Sequence, residues 1–139
     1  MNPTLVLDEP DVLPAPPDYS FAVRRSPELP AYQELVLENA QGHGAHWVIS
    51  QPLRQLARRS VLLWQLAGAP LLGALASVEA GAVQLAPARP GGPANLAAEL
   101  AGGVLRLNFS GQQLRGYFRL QRLPTSCGQL WQLTPIGHA

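Results

Sequence analysis

Lysine is absent from this chain: all ten basic residues among its 139 are arginine. Arginine offers a planar fork suited to phosphate or carboxylate, but a total absence of lysine points to codon bias rather than to selection for phosphate binding. Cysteine is nearly absent too. The single Cys127 excludes an intrachain disulfide and makes a reducing, cytoplasmic setting the default. It sits in a loop beside Gly128 with no nearby histidine partner, which reads as a plain loop thiol. Charge is scarce, at 14% of residues against roughly 25% for an average domain. That shortage suggests surface covered by a partner or by a second copy, so a homodimer is one expectation. No N-terminal segment has the order of a signal peptide. The most apolar window, Val61 to Val78, is interrupted by Gln65, Gly68, Pro70 and Gly73. It reads as buried strand plus loop, and no membrane partner is expected.

What charge there is lies unevenly. Residues 1–40 hold seven acids and two arginines, net −5, whereas residues 41–139 hold two acids and eight arginines, net +6. A body of that sign favours polyanions or is simply a solvated arginine surface. The acidic stretch at 1–18 carries five prolines and reads as an extended arm or tail. The remainder, 19–139, is long enough for one domain with its own core.

The clearest pattern lies at Gly103–Leu133. Leu105, Leu107 and Phe109 alternate with Arg106 and Asn108. After Ser110-Gly-Gln112, Leu114, Phe118 and Leu120 alternate with Arg115, Tyr117, Arg119 and Gln121. A period of two on both sides of a glycine-containing break predicts a β-hairpin. Residues 129–134 add a third strand, giving an antiparallel meander. Upstream, 19–25 predicts a strand, 31–38 and 46–50 a second hairpin, and 81–87 a short strand after a loop from Pro70 to Ala80. A turn follows at 90–93. Residues 52–67 fit a helical face and a buried strand equally by period. A helical turn near 52–58 followed by a strand at 60–66 is the preferred reading. Residues 94–101 predict a short helix, with Asn95 as N-cap and Gly102 after its end. About eight mostly antiparallel short strands with one or two flanking helices predict a small β-barrel. Trp47, Trp64 and Trp131 are expected in its core.

The ending from Leu100 to Leu123 resembles the C-terminal part of the 3′-phosphoesterase domain of bacterial DNA ligase D. That family closes with a GKLxFxLxGxKLxGxFxLxR pattern and a final WxLxK strand, and Trp131-Gln-Leu-Thr134 fills the last place. Phe21-Ala-Val, with Leu37-Glu38 fourteen residues on, is similar to its FVVxxHxAxxLHYDFRLE segment. Trp47-Val-Ile-Ser-Gln-Pro52 looks like WAVPKGP, and Leu72-Gly73 with Glu79-Ala-Gly-Ala-Val83 looks like FEGxIPxGEYGAGxV. The resemblance covers roughly 19–134. It implies a barrel from a family that trims 3′-phosphates and ribonucleotides at DNA ends with a divalent metal, typically manganese, held by histidine and aspartate and assisted by arginine. In this chain the family's histidines fall on Ser26 and Tyr32, its aspartate on Glu34 and its arginine on Val36; a later histidine falls near Gly68-Ala69-Pro70. Valine binds no phosphate, and serine is a poor ligand for such a metal. The expectation is a pseudoenzyme with no catalytic residue and no cofactor. It would act in DNA repair as a binding module for a DNA end or for a repair or ligase protein.

The residues themselves offer two sites. Arg106, Arg115, Arg119 and Arg122 beside Tyr117 form a row suited to a nucleic-acid backbone, or else a solvated sheet face. His43 and His46 at a glycine turn, with Glu34 from the paired strand, are the weak metal candidates that would serve a rewired, still active phosphoesterase. A module that binds protein and no nucleic acid is the other alternative, motivated by the low charge.

Overall fold

Several strands end within a few residues of a proline or glycine that breaks the alternation, as at Pro27, Pro52, Gly111 and Pro124. The computed structural model describes residues 19–42, 44–67, 75–86, 95–124 and 127–137. In chain order the elements are β1 (Tyr19–Arg25), β2 (Gln33–Asn39), β3 (Gly44–Ile49), α1 (Leu53–Leu56), β4 (Val61–Leu66), β5 (Ala76–Ala86), α2 (Leu96–Gly102), β6 (Val104–Ser110), β7 (Arg115–Arg122) and β8 (Leu130–Gly137). The strands close into one antiparallel barrel in the order β1-β2-β3-β4-β8-β7-β6-β5, with β5 returning to β1. It is a ring of two four-stranded meanders, β1–β4 and β5–β8, and closure removes the sheet edges that would template association. The expected arm at 1–18, the turn at 90–93, and His43, Gly68-Ala69-Pro70 and His138 lie outside the described residues.

Every second residue points inward. Phe21, Val23, Leu35, Leu37, Trp47, Leu63, Val83, Leu105, Leu107, Phe109, Phe118, Leu120, Trp131 and Leu133 are all buried. Phe21, Phe109 and Phe118 form an edge-to-face chain with centroids 4.9 and 5.3 Å apart, and Trp47 meets Trp131 at 5.6 Å. Such pairs add about 0.5–1.5 kcal/mol each beyond their buried area. The Trp131 indole donates to Gln65 Oε1 at 2.9 Å. Trp64 departs from expectation: it stands on the outer wall, 44% exposed. Val61 and Leu63 of the same strand take the interior, so parity sends Trp64 out.

The two helices close opposite mouths of the barrel. α1 places buried Leu53 and Leu56 beneath β8. At the other mouth α2 buries Leu96 against the start of β6, and its Leu96 N–H donates to the Tyr19 hydroxyl at 3.2 Å. Asn95 is the N-cap, accepting from the Ala98 N–H at 2.9 Å. The helix ends one residue later than expected, at Gly102, and Gly103 follows it with a φ of 81°, a left-handed conformation that favours glycine. β5 is also longer than expected. It starts at Ala76, inside the predicted loop, because β1 supplies a partner for these small residues, with a register shift between Val23 and Arg24. β8 runs on through Pro135. A proline is tolerated there because β4 pairs with β8 only as far as Leu133, so no ladder bond is lost on that side.

Candidate nucleic-acid interface

Parity also builds the arginine wall. Phe118 and Leu120 are buried, so Arg115, Tyr117 and Arg119 share the outer face of β7. Pairing with β6 sets Arg119 opposite Arg106, Tyr117 opposite Asn108 and Arg115 opposite Ser110; on its other side Arg119 faces Thr134 of β8. Two guanidinium-bearing side chains directly across a ladder repel each other. Nothing in register relieves them: the next residue beyond Arg106 is Ala86. Among the described residues the one ion pair is Glu34 with His46, on another wall. The Arg119 Nε is buried and has no hydrogen-bond partner among them. Tyr117 stands between these cations, 43% exposed. Positive charge left without its counterion around an exposed ring suits a phosphate backbone and a stacked base.

Arg122 does not join the row. It has the parity of Phe118 and Leu120, and its guanidinium donates to the carbonyls of Leu100 and Ala101, at 3.3 and 3.2 Å, with Cζ 5.6 Å from the Trp131 ring centroid. A cation at those carbonyls satisfies the C-terminal end of α2. Its work is structural.

The wall runs into a half-open cleft of about 570 Å³ at the α1 mouth. Arg58, in the turn after α1, and Arg115 line it from separate elements; Asn108, Ser110 and Tyr117 add polar groups, and Phe109 contributes to the lining. From the sequence Arg58 could extend the arginine patch but could not be placed, and Glu79, which shapes the cleft by holding the neighbouring turn, was not picked out. That carboxylate is buried, and its Oε2 accepts from the Gln113 N–H at 2.6 Å and the Leu114 N–H at 2.8 Å. It therefore pins the β6–β7 turn that delivers Arg115. Gly111 makes room for it: a Cβ there would fall 2.6 Å from Glu79 Oε2 and 2.7 Å from Phe21 Cζ. The available signal was scarcity. Glu79 is one of only two acids after residue 40, and a lone acid on an apolar strand calls for dedicated donors.

The positions aligned with the phosphoesterase site lie elsewhere. Tyr32 precedes β2, and Glu34 and Val36 share its outer face; β2 and β7 are four places apart in either direction around the ring, on opposite walls. Glu34 is buried. The Tyr32 hydroxyl donates to its Oε2 at 2.5 Å, and His46 Nδ1 lies 3.6 Å from its Oε1. Val36 faces His46 and Ala22 and presents no ligating atom. The Ser26 Oγ accepts from the Leu29 N–H at 3.0 Å. Among the described residues no three His, Cys, Asp or Glu side chains converge to hold a metal ion. Glu34 and His46 do meet, forming an ion pair when the imidazole is protonated.

A third wall is apolar. Val48, Trp64 and Leu130 stand in register across β3, β4 and β8, with Leu62 next to them and 51% exposed. No helix among the described residues is long and apolar enough to cross a membrane. No family model matches the chain, and no curated protein shows significant sequence similarity to it.

Proposed function

We propose that this chain is a nucleic-acid-binding barrel of the DNA ligase D 3′-phosphoesterase type in which the positions of the family's metal site have lost their ligands. It grips the sugar-phosphate backbone of a DNA end along the β6–β7 wall and acts in bacterial DNA repair, in the cytoplasm, without chemistry of its own. The observation that carries the reading is the arrangement of Arg106, Arg115 and Arg119 around exposed Tyr117, with no carboxylate partner among the described residues. An arginine face that served only solubility would do better with acids interspersed, since like charges set across a ladder cost stability. The pseudoenzyme part is supported by the side chains at the aligned positions. Val36 has no polar atom there, and Glu34 is engaged by Tyr32 and His46.

The test is fluorescence anisotropy with labelled single-stranded and duplex DNA at low salt. Wild type binds; Arg106→Ala with Arg119→Ala weakens binding about tenfold or more; Arg122→Ala leaves it within about twofold, each cation–phosphate contact contributing on the order of 1 kcal/mol. Equal affinity for wild type and the double variant overturns the assignment. Release of phosphate from a 3′-phosphorylated duplex with manganese, abolished by His46→Ala, overturns the pseudoenzyme part and leaves the wall. One observation favours a second reading, a module for protein contact: the Val48-Trp64-Leu130 row with Leu62 is uncharged and open. A dimer on sizing that Trp64→Glu dissociates, with no DNA binding at any salt, would establish that reading instead.

A further inference from the structure

The wall accounts for Arg106 and Arg119, but not for the cleft beyond them. Its volume, about 570 Å³, lies within the range of pockets that take small ligands, roughly 300–1,000 Å³. Its contents are more telling than its size. Two arginines line it, Arg58 from the turn after α1 and Arg115 from the start of β7, and among the described residues no acidic one does. Tyr117 offers a ring at its rim, and Asn108 and Ser110 offer polar side chains. Cations brought from two separate elements to one apolar-based hollow suit a compact dianion better than a passing backbone. An internal phosphodiester carries about one charge and a phosphomonoester about 1.5–2 at neutral pH, so a pair of arginines discriminates in favour of the monoester. The hollow is also set rather than improvised: Glu79 fixes the turn from Gly111 to Leu114 by two backbone hydrogen bonds, so Arg115 and Ser110 leave it in defined directions.

We infer that the cleft is a nucleoside-monophosphate site: the phosphomonoester lies between Arg58 and Arg115, and the base rests against Tyr117. It shares Arg115 and Tyr117 with the proposed wall and in that respect rests on the nucleic-acid reading, but Arg58 belongs to the cleft alone. The same chemistry arrives as a free nucleotide or as the phosphorylated end of a strand.

Calorimetry with AMP, adenosine and inorganic phosphate tests the site, and anisotropy with circular single-stranded DNA tests the wall. AMP binds at least about tenfold more tightly than adenosine or phosphate, and Arg58→Ala weakens AMP about tenfold while changing circular DNA less than about threefold. Equal binding of AMP, adenosine and phosphate overturns the inference, as does an Arg58→Ala protein that melts like wild type and binds AMP equally well. Circular DNA bound without AMP removes the cleft assignment and leaves the wall; AMP bound without circular DNA does the reverse. Linear strands ending in 5′-phosphate, 3′-phosphate or hydroxyl identify the source. A preference for one phosphorylated end that Arg58→Ala abolishes assigns a strand terminus, and equal binding of all three with AMP still bound assigns a free nucleotide.

Discussion

Replacing Glu79 with alanine removes the one side chain that holds the β6–β7 turn. The Leu114 N–H, now buried without an acceptor, costs about 1–3 kcal/mol. The Gln113 N–H belongs to an exposed residue and regains water, so losing its charge-assisted bond adds about 1 kcal/mol. No longer burying a carboxylate offsets part of this, leaving a net loss of about 2 kcal/mol. At this chain length each kcal/mol moves the melting temperature by about 3–4 °C, so Glu79→Ala should melt about 7 °C below wild type. Glu79→Gln keeps an acceptor oxygen in the same place without its charge and should lose about 3 °C, on the view that charge-assisted bonds are roughly twice as strong as neutral ones. Gln112→Ala, at an exposed position of the same turn, should change stability by less than about 0.5 kcal/mol. Circular dichroism melts of the three variants decide the matter. A Glu79→Ala protein melting within about 2 °C of wild type would refute the assignment of the turn to this carboxylate.

Further outcomes follow from the same geometry. Arg122→Ala should cost about 1–2 kcal/mol in urea unfolding, because the Leu100 and Ala101 carbonyls lose their donor and Trp131 its cation. Trp131→Ala should cost about 3–5 kcal/mol and Trp64→Ala less than about 1 kcal/mol, since Trp131 is fully buried and Trp64 is not; equal losses would contradict their placement on opposite faces. Gly103→Ala should cost about 1 kcal/mol for its left-handed φ, and more if Arg122, 3.1 Å from the added Cβ, cannot yield. Protein mixed with Mn²⁺ should melt as it does without the metal, because among the described residues Glu34 and His46 supply two ligands where a stable site needs three or more; a rise of several degrees that His46→Ala removes would show otherwise.

The barrel was legible because a period of two survives wherever one face is wet. Leu105 to Phe109 against Arg106 and Asn108 told the faces of β6 directly, and Asn95 announced α2. Legibility failed where both faces carry similar residues. Val61-Leu-Leu-Trp-Gln-Leu66 carries apolar residues on both faces, and its one polar residue, Gln65, has the parity of buried Val61 and Leu63, so nothing in it said that Trp64 points out; that was decided by which neighbours closed over Val61 and Leu63. Ala76 to Ala80 has little strand preference of its own and extends because β1 lies beside it. In the candidate site, Arg115, Tyr117 and Arg119 were readable from parity, and so was the exclusion of Arg122 once charge is set aside and position counted. The places of Arg58 and Glu79 were not readable, although scarcity marked Glu79 as an acid needing donors. Closure of the barrel brings Arg58 to the cleft and sets Glu79 against the β6–β7 turn, 35 positions from Leu114 in the chain.

The central claim is that arginines on β6 and β7 hold phosphates. Its most direct measurement is the salt dependence of single-stranded DNA binding for wild type and for the Arg106→Ala, Arg119→Ala double variant. Each neutralised phosphate contributes about 0.7 to the slope of log K against log salt on a single strand, so the double variant should show a slope shallower by about 1.4 at every length of DNA tested. An unchanged slope, or no binding by wild type at low salt, would contradict it.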